Sequence, residues 1–265
     1  MSRMRVVAVL LCCGLACSPT AARAQSAAGR NLEGMWSDPP TTILGRFCAF
    51  WCTDEGVTFL NSLVDNPAND ARPFADLAAE ADRHQKARYL RPRLTENALK
   101  TYPLDPADDP GFLRCEPWGL SRQMVAPHQL EIRGRGKDRL DLRYGEWDAR
   151  RTVYLDGRAP APGQKPTRLG HSIGRWEGDA LIIETSGIAR HLGQEFEYSD
   201  QLRVTERYTR TQDGMMLQLT ATLVDPVTLR EPLVLKKIWR WSPSSEIAPY
   251  TSCERPTEFR KGVAR

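Results

Sequence analysis

Several things are scarce in this 265-residue chain. It has no excess of one charge: 37 Lys and Arg stand against 33 Asp and Glu, and the first 24 residues hold three of the bases (Arg3, Arg5, Arg23) and no acid. Without that leader, 34 bases face 33 acids. Polyanion affinity comes mainly from clustered cations that release counterions, so this balance argues against a protein built to coat nucleic acid or anionic lipid. After the first two dozen residues no apolar run is long enough to cross about 30 Å of hydrocarbon, so stable membrane insertion is not expected. Histidine is sparse: His84, His128, His171 and His191 stand far apart without ligand spacing, and no metal or other cofactor is expected. There is no glycine-rich phosphate loop and no His-Glu-x-x-His helix. The letters Gly170-His171-Ser172-Ile173-Gly174 fit a nucleophile elbow, but they lead into a hairpin where an elbow needs a helix. No repeat of solenoid or propeller period occurs.

What is present begins with an export signal. Arg3 and Arg5 precede an apolar run from Val6 to Cys17, and Ala22-Arg23-Ala24 has small residues at the two selective positions, so residues 1–24 are expected to be cleaved before Gln25. The mature protein is then periplasmic or secreted. A lipid anchor on Cys17 is the weaker reading, because Gly14 stands where a lipobox carries Leu. Cleavage removes Cys12, Cys13 and Cys17 and leaves Cys48, Cys52, Cys115 and Cys253, an even number in an oxidising compartment. Two disulfides are expected. Three connectivities are open; the small loop Cys48-Ala49-Phe50-Trp51-Cys52 would leave Cys115 to pair with Cys253.

Two textures follow. Residues 25–110 read as a strand near Leu32–Trp36, the cysteine loop and a helical annex. There Asp70 and Pro73 look like a cap and a first-turn proline before Phe74, Leu77, Ala78, Ala81, Ala87 and Leu90 at helical spacing, with an end before Pro92. A short second helix is expected after Thr95. Asp105 to Gly111 is a turn-rich connector. Residues 111–265 read as β, in one compact unit with the annex. Strands are expected near His128–Arg133, Arg139–Tyr144, Arg151–Leu155, His171–Trp176, Ala180–Thr185, Leu202–Thr209, Met215–Val224 and Leu233–Trp241, parted by glycine- and aspartate-rich turns. Alternation over short strands with hairpin turns and no intervening helices predicts a mainly β fold: an antiparallel lipocalin-like barrel of about eight to nine strands with a small N-terminal helical annex.

The segment Gly170-His171-Ser172-Ile173-Gly174-Arg175-Trp176-Glu177-Gly178-Asp179-Ala180-Leu181, running on to Thr185, closely resembles the signature of a large family of exported bacterial proteins. Cys115-Glu116-Pro117-Trp118-Gly119, Arg122, Met124, Glu146, Arg151, Tyr154 to Arg158, Ser199, Glu206-Arg207-Tyr208 and Asp225-Pro226 fit the same pattern, over roughly residues 95–255. The resemblance implies an exported, β-rich, lipocalin-like domain. It carries no activity, and the Cys48–Cys52 region lies outside it.

Charged residues within alternating strands suggest where chemistry sits. Glu206, between Val204 and Tyr208, lies on a face that otherwise reads as buried, and Glu184 follows Ile182 in the same way; a buried carboxylate needs a cation or donors. Arg158 and Arg207 are the expected partners, with Glu146 and Asp156 close in sequence. His171, Glu206 and Arg158 are the candidate catalytic residues; Glu146, Asp156, Arg207, Tyr208 and Trp176 are candidate ligand contacts. Trp176, Glu177 and Asp179 equally fit a core indole and a hairpin turn, and His171 a hydrogen-bonded core histidine. The run Lys236 to Trp241 reads as a strand with Trp or Ile inward and Lys or Arg outward. The expected function is binding of a small organic molecule, coupled to acid/base chemistry (hydration, isomerisation, elimination or hydrolysis) or serving carriage alone; an envelope protein-interaction module is the alternative.

Overall fold

The structure, a computed structural model, describes residues 32–37, 42–104, 111 and 115–248. The leader, Gln25, most of the connector and Cys253 lie outside the described residues. Nine strands close into a barrel: β1 (Gly34–Ser37), β2 (Leu130–Gly134), β3 (Arg139–Tyr144), β4 (Arg150–Tyr154), β5 (His171–Glu177), β6 (Ala180–Ser186), β9 (Arg203–Arg210), β10 (Met216–Val224) and β11 (Leu233–Trp241), in the order β1-β11-β10-β9-β6-β5-β4-β3-β2. A small separate hairpin pairs β7 (His191–Leu192) with β8 (Glu197–Tyr198).

Alternation sets the lumen. Val204, Glu206 and Tyr208 of β9 are buried while Arg203, Thr205 and Arg207 are exposed. Register carries the inward face around the wall: Glu206 lies opposite Ile183 and Ala221, and Tyr208 opposite Leu181 and Leu219. Trp36, Leu142, Tyr144, Val153, Leu235 and Trp239 complete a filled core. In a barrel of this size side chains are just large enough to occupy the interior. The β5–β6 hairpin turns on Gly178 at φ 60°, followed by Asp179, the arrangement of a type II′ turn with glycine in the position that a side chain would strain.

One pairing departs from the expected antiparallel barrel: β4 and β5 run parallel, joined through only Val153–Ser172 and Tyr154–Ile173. The chain between them, with Gly157 and Pro160, Pro162 and Pro166, cannot make a tight hairpin and returns along the outside before re-entering the wall.

The annex is more helical than its sequence suggests. Helix α1 (Ile43–Phe47) is capped by Thr42, and α2 (Asp54–Val64) by Thr53, whose hydroxyl accepts from the Gly56 amide. No helix was expected from the sequence at α2. Helix α3 (Phe74–Gln85) starts after Pro73 without the Asp70 cap, and runs through a π-helical stretch (Lys86–Leu90) into Arg91–Arg93, so Pro92 sits in its last turn. A widened turn just before a proline is one way to accommodate its missing donor. Where a short helix was expected after Thr95 there is a 3₁₀ turn, Ala98–Lys100. Phe47, Cys48, Cys52, Leu60, Leu77 and Ala81 pack against Ile238 on the outer face of β11. A disulfide joins Cys48 and Cys52 across 4.9 Å between Cα atoms. Cys115 is disulfide-bonded as well.

Candidate functional site

Glu206 is inside the barrel as its flanking residues predict, but its partner is Arg151 of β4, neither Arg158 nor Arg207. The two charges meet in a bidentate pair, Nη1 to Oε2 at 2.6 Å and Nη2 to Oε1 at 3.0 Å, with side chains 2% and 0% exposed. Tyr208 Oη donates to Glu206 Oε1 at 2.8 Å, and the Tyr144 ring lies 5.9 Å from the guanidinium. Burial pulls the Arg151 pKa down, but the adjacent carboxylate outweighs it and holds Arg151 above the ordinary arginine value; burial pushes Tyr144 up to about 12. The carboxylate, the two terminal guanidinium nitrogens and the Tyr208 hydroxyl satisfy one another among apolar side chains, while Arg151 Nε is left without a partner among the described residues. The cluster is a buried ion pair of the core, and neither His171 nor Arg158 belongs to it.

The other sequence candidates are dispersed. Arg207 points outward, 3.5 Å from Glu177. Glu184 is exposed on the outer face and paired with Arg175, the opposite of the expected inward placement. Glu146 is buried, with the ring of half-buried His128 against its carboxylate. Trp176 is half-buried opposite Leu181 in the β5–β6 hairpin, and packs against the core. Ser172, of the elbow-like string, faces the lumen and shares a 2.9 Å hydrogen bond with Thr185.

His171 and Arg158 do come together, on the flank of the barrel. The crossover from β4 to β5 and the splayed parallel seam leave a cleft of about 560 Å³ lined by Tyr154, Arg158, Gln164, Arg168 and His171, among others. Gly170 introduces His171 with φ 71°, and a Cβ there would stand 2.7 Å from the Ser186 carbonyl oxygen, so this glycine is needed both for its conformation and for close approach. His171 Nε2 donates to the Arg158 carbonyl at 2.9 Å; because a carbonyl only accepts, the neutral ring keeps Nδ1 as its acceptor. The His171 and Tyr154 rings stack with centroids 5.1 Å apart, and the Arg158 guanidinium lies 4.9 Å from the Tyr154 centroid. Asp156 joins indirectly: it and Asp138 hold the Arg158 guanidinium at the surface, which raises the arginine's pKa and lowers that of Asp156. A positioned imidazole with a defined acceptor nitrogen, beside guanidinium groups, can move a proton and hold an anion.

Two polar constellations were not legible in the sequence. His191 Nδ1 donates to the Ala189 carbonyl at 2.9 Å, and its Nε2 accepts from Ser121 Oγ at 2.7 Å; burial lowers the imidazole pKa. Seventy positions separate the pair, so no motif announces it. Gly119 leaves the room, since a Cβ there would fall 2.2 Å from the ring. The cavity beside Ser121 is only about 20 Å³, room for a water and not for an organic substrate. The second is Lys237. It faces inward in line with Trp239, while Ile238 faces out onto the annex, which corrects the expected outward lysine. Its Nζ donates to the Ala49 and Val125 carbonyls, and burial brings its pKa down to about 7.

Among the described residues no cluster of three His, Cys, Asp or Glu could hold a metal ion, and no helix is long and apolar enough to cross a membrane. No protein-family model matches the chain, and neither curated proteins nor solved structures yield a match.

Proposed function

We propose that this is an exported member of the family whose Gly-His-Ser signature it resembles, that it binds a small organic molecule in the cleft between β4 and β5, and that His171 performs acid/base chemistry on it. The observation that carries this reading is the placement of His171: it lines an organic-sized cleft, its tautomer is set by the Arg158 carbonyl, and it stacks on Tyr154. An imidazole can both accept and donate a proton, so Nδ1 is suited to take a proton from a bound molecule and return it. Export is supported by the leader, and the Cys48–Cys52 disulfide suits an oxidising compartment. The test is capture from a metabolite extract by purified mature protein, read by mass spectrometry. A molecule retained by wild type and lost with His171→Gln and Tyr154→Ala is the expected result; equal retention by both variants would refute the assignment.

A second reading draws on a different surface. Ile43, Leu44 and Phe50 beside the disulfide loop are 41%, 41% and 45% exposed, the kind of apolar cluster that a protein partner covers. It is favoured if photo-crosslinking at Phe50 in cells yields an envelope protein while the cleft retains no small molecule.

A further inference from the structure

We infer that the cleft takes an organic anion, a carboxylate or a phosphate ester, with Arg168 as the group that anchors its charge. The inference rests on the cleft being the ligand site. Arg150, Arg151, Arg158, Arg168 and His171 all line it, and among the described residues no aspartate or glutamate does. Three of these arginines are already answered elsewhere: Arg150 by Asp148, Arg151 by Glu206, and Arg158 by Asp156 and Asp138. Arg168 makes no ion pair among the described residues. It is half-buried, and its Nη1 donates to the Trp118 carbonyl. Burial acts on it unopposed and lowers its pKa. Because a guanidinium stays charged in proteins, the shortfall is met by an acid from outside rather than by deprotonation.

A partly desolvated cation without a counter-charge is unfavourable, and a bidentate carboxylate or phosphate matches the planar donor fork of arginine. The volume has room for more than a bare inorganic ion. About 560 Å³ falls in the range of organic pockets, and leaves room for a body against Tyr154 and His171 once an acid group sits on Arg168. Anchoring at Arg168 would fix the molecule while His171 handles its proton, so positioning and chemistry fall to different residues.

The experiment compares benzoate, phenyl phosphate and benzamide by calorimetric titration against mature wild type, Arg168→Gln and Arg168→Lys, with melting temperatures recorded for each protein. Benzoate and phenyl phosphate are expected to bind at least about tenfold more tightly than benzamide. Arg168→Gln should remove that preference without weakening benzamide, and Arg168→Lys should restore part of it for the phosphate. A purely structural role, clipping Trp118 in place, predicts instead a lower melting temperature with unchanged anion affinity, and that result overturns the inference. So does equal affinity for benzamide, or no binding of either anion at millimolar concentration. The underlying site assignment fails separately. If anions bind but neither Arg168→Gln nor Tyr154→Ala changes their affinity, the cleft is not the site and both ideas fall; if the extract yields a neutral or cationic molecule lost with His171→Gln, the site stands and the anion inference falls.

Discussion

Replacing Glu206 by Gln tests the account of the barrel interior. The side chain keeps its size and loses its charge, so the perturbation is electrostatic. Arg151 is 2% exposed and its two terminal nitrogens lie 2.6 and 3.0 Å from the carboxylate oxygens, so the charge of the guanidinium is balanced by that carboxylate and hardly by bulk solvent. Removing one member of such a pair leaves a buried charge uncompensated and costs about 3–5 kcal/mol. For a chain of this length each kcal/mol lowers the melting temperature by about 2–4 °C, so the variant should melt roughly 6–20 °C below wild type. The triple change Arg151→Met, Glu206→Leu, Tyr208→Phe removes the pair together with the hydroxyl that donates to it, and should recover most of that loss, because apolar replacements of a buried pair are often neutral or better. Calorimetry on the four proteins wild type, Glu206→Gln, Arg151→Met and the triple variant measures both effects. A Glu206→Gln melt within about 2 °C of wild type would refute the reasoning, because it would mean that the guanidinium is solvated or finds another acceptor.

Lys237 gives a pH signature. Its pKa is near 7 when folded and at the ordinary lysine value of 10.5 when unfolded, so between those values the unfolded chain binds the extra proton and this residue's contribution to stability rises with pH. Lys237→Met should therefore be more stable than wild type at pH 7 and show a flatter rise towards pH 10 in urea midpoints; an unchanged slope would contradict the burial argument. Gly178→Val should cost about 1–3 kcal/mol by forcing a β-branched residue to φ 60°, although a Cβ there meets nothing within 4 Å; a melt equal to wild type would mean that the turn rearranges freely. Gly170→Ala should shift the His171 ring resonances and lower cleft binding, while Gly163→Ala, at a φ of 74° in the exposed loop with open space around it, should leave binding alone. Mass spectrometry of periplasmic material should show a start at Gln25 and no alkylation without prior reduction, whereas four alkylatable thiols would remove the two-disulfide expectation.

What the sequence alone determined is local. The barrel strands announce themselves because a period of two and the turn residues that bound it lie in consecutive positions: Arg139–Tyr144 and Leu233–Trp241 fall where alternation puts them, and Val204 and Tyr208 mark Glu206 as buried. The short loop between Cys48 and Cys52 pairs as its spacing allows. Tertiary structure decided the long-range partnerships. Arg151 meets Glu206 across 55 residues because β4 and β9 face each other through the lumen, and Ser121 meets His191 across 70. Arg158 looked like the mate of a buried carboxylate and is instead a surface residue whose carbonyl holds His171, because β4 and β5 run parallel and their crossover passes outside the wall. Lys237 shows the same limit in a single strand: neighbours fix which residues alternate, but which of the two faces meets the lumen depends on how the sheet closes and where the annex covers β11. Periodicity is a property of neighbouring residues, whereas charge pairing, burial and cavities arise when strands distant in the chain become adjacent in space.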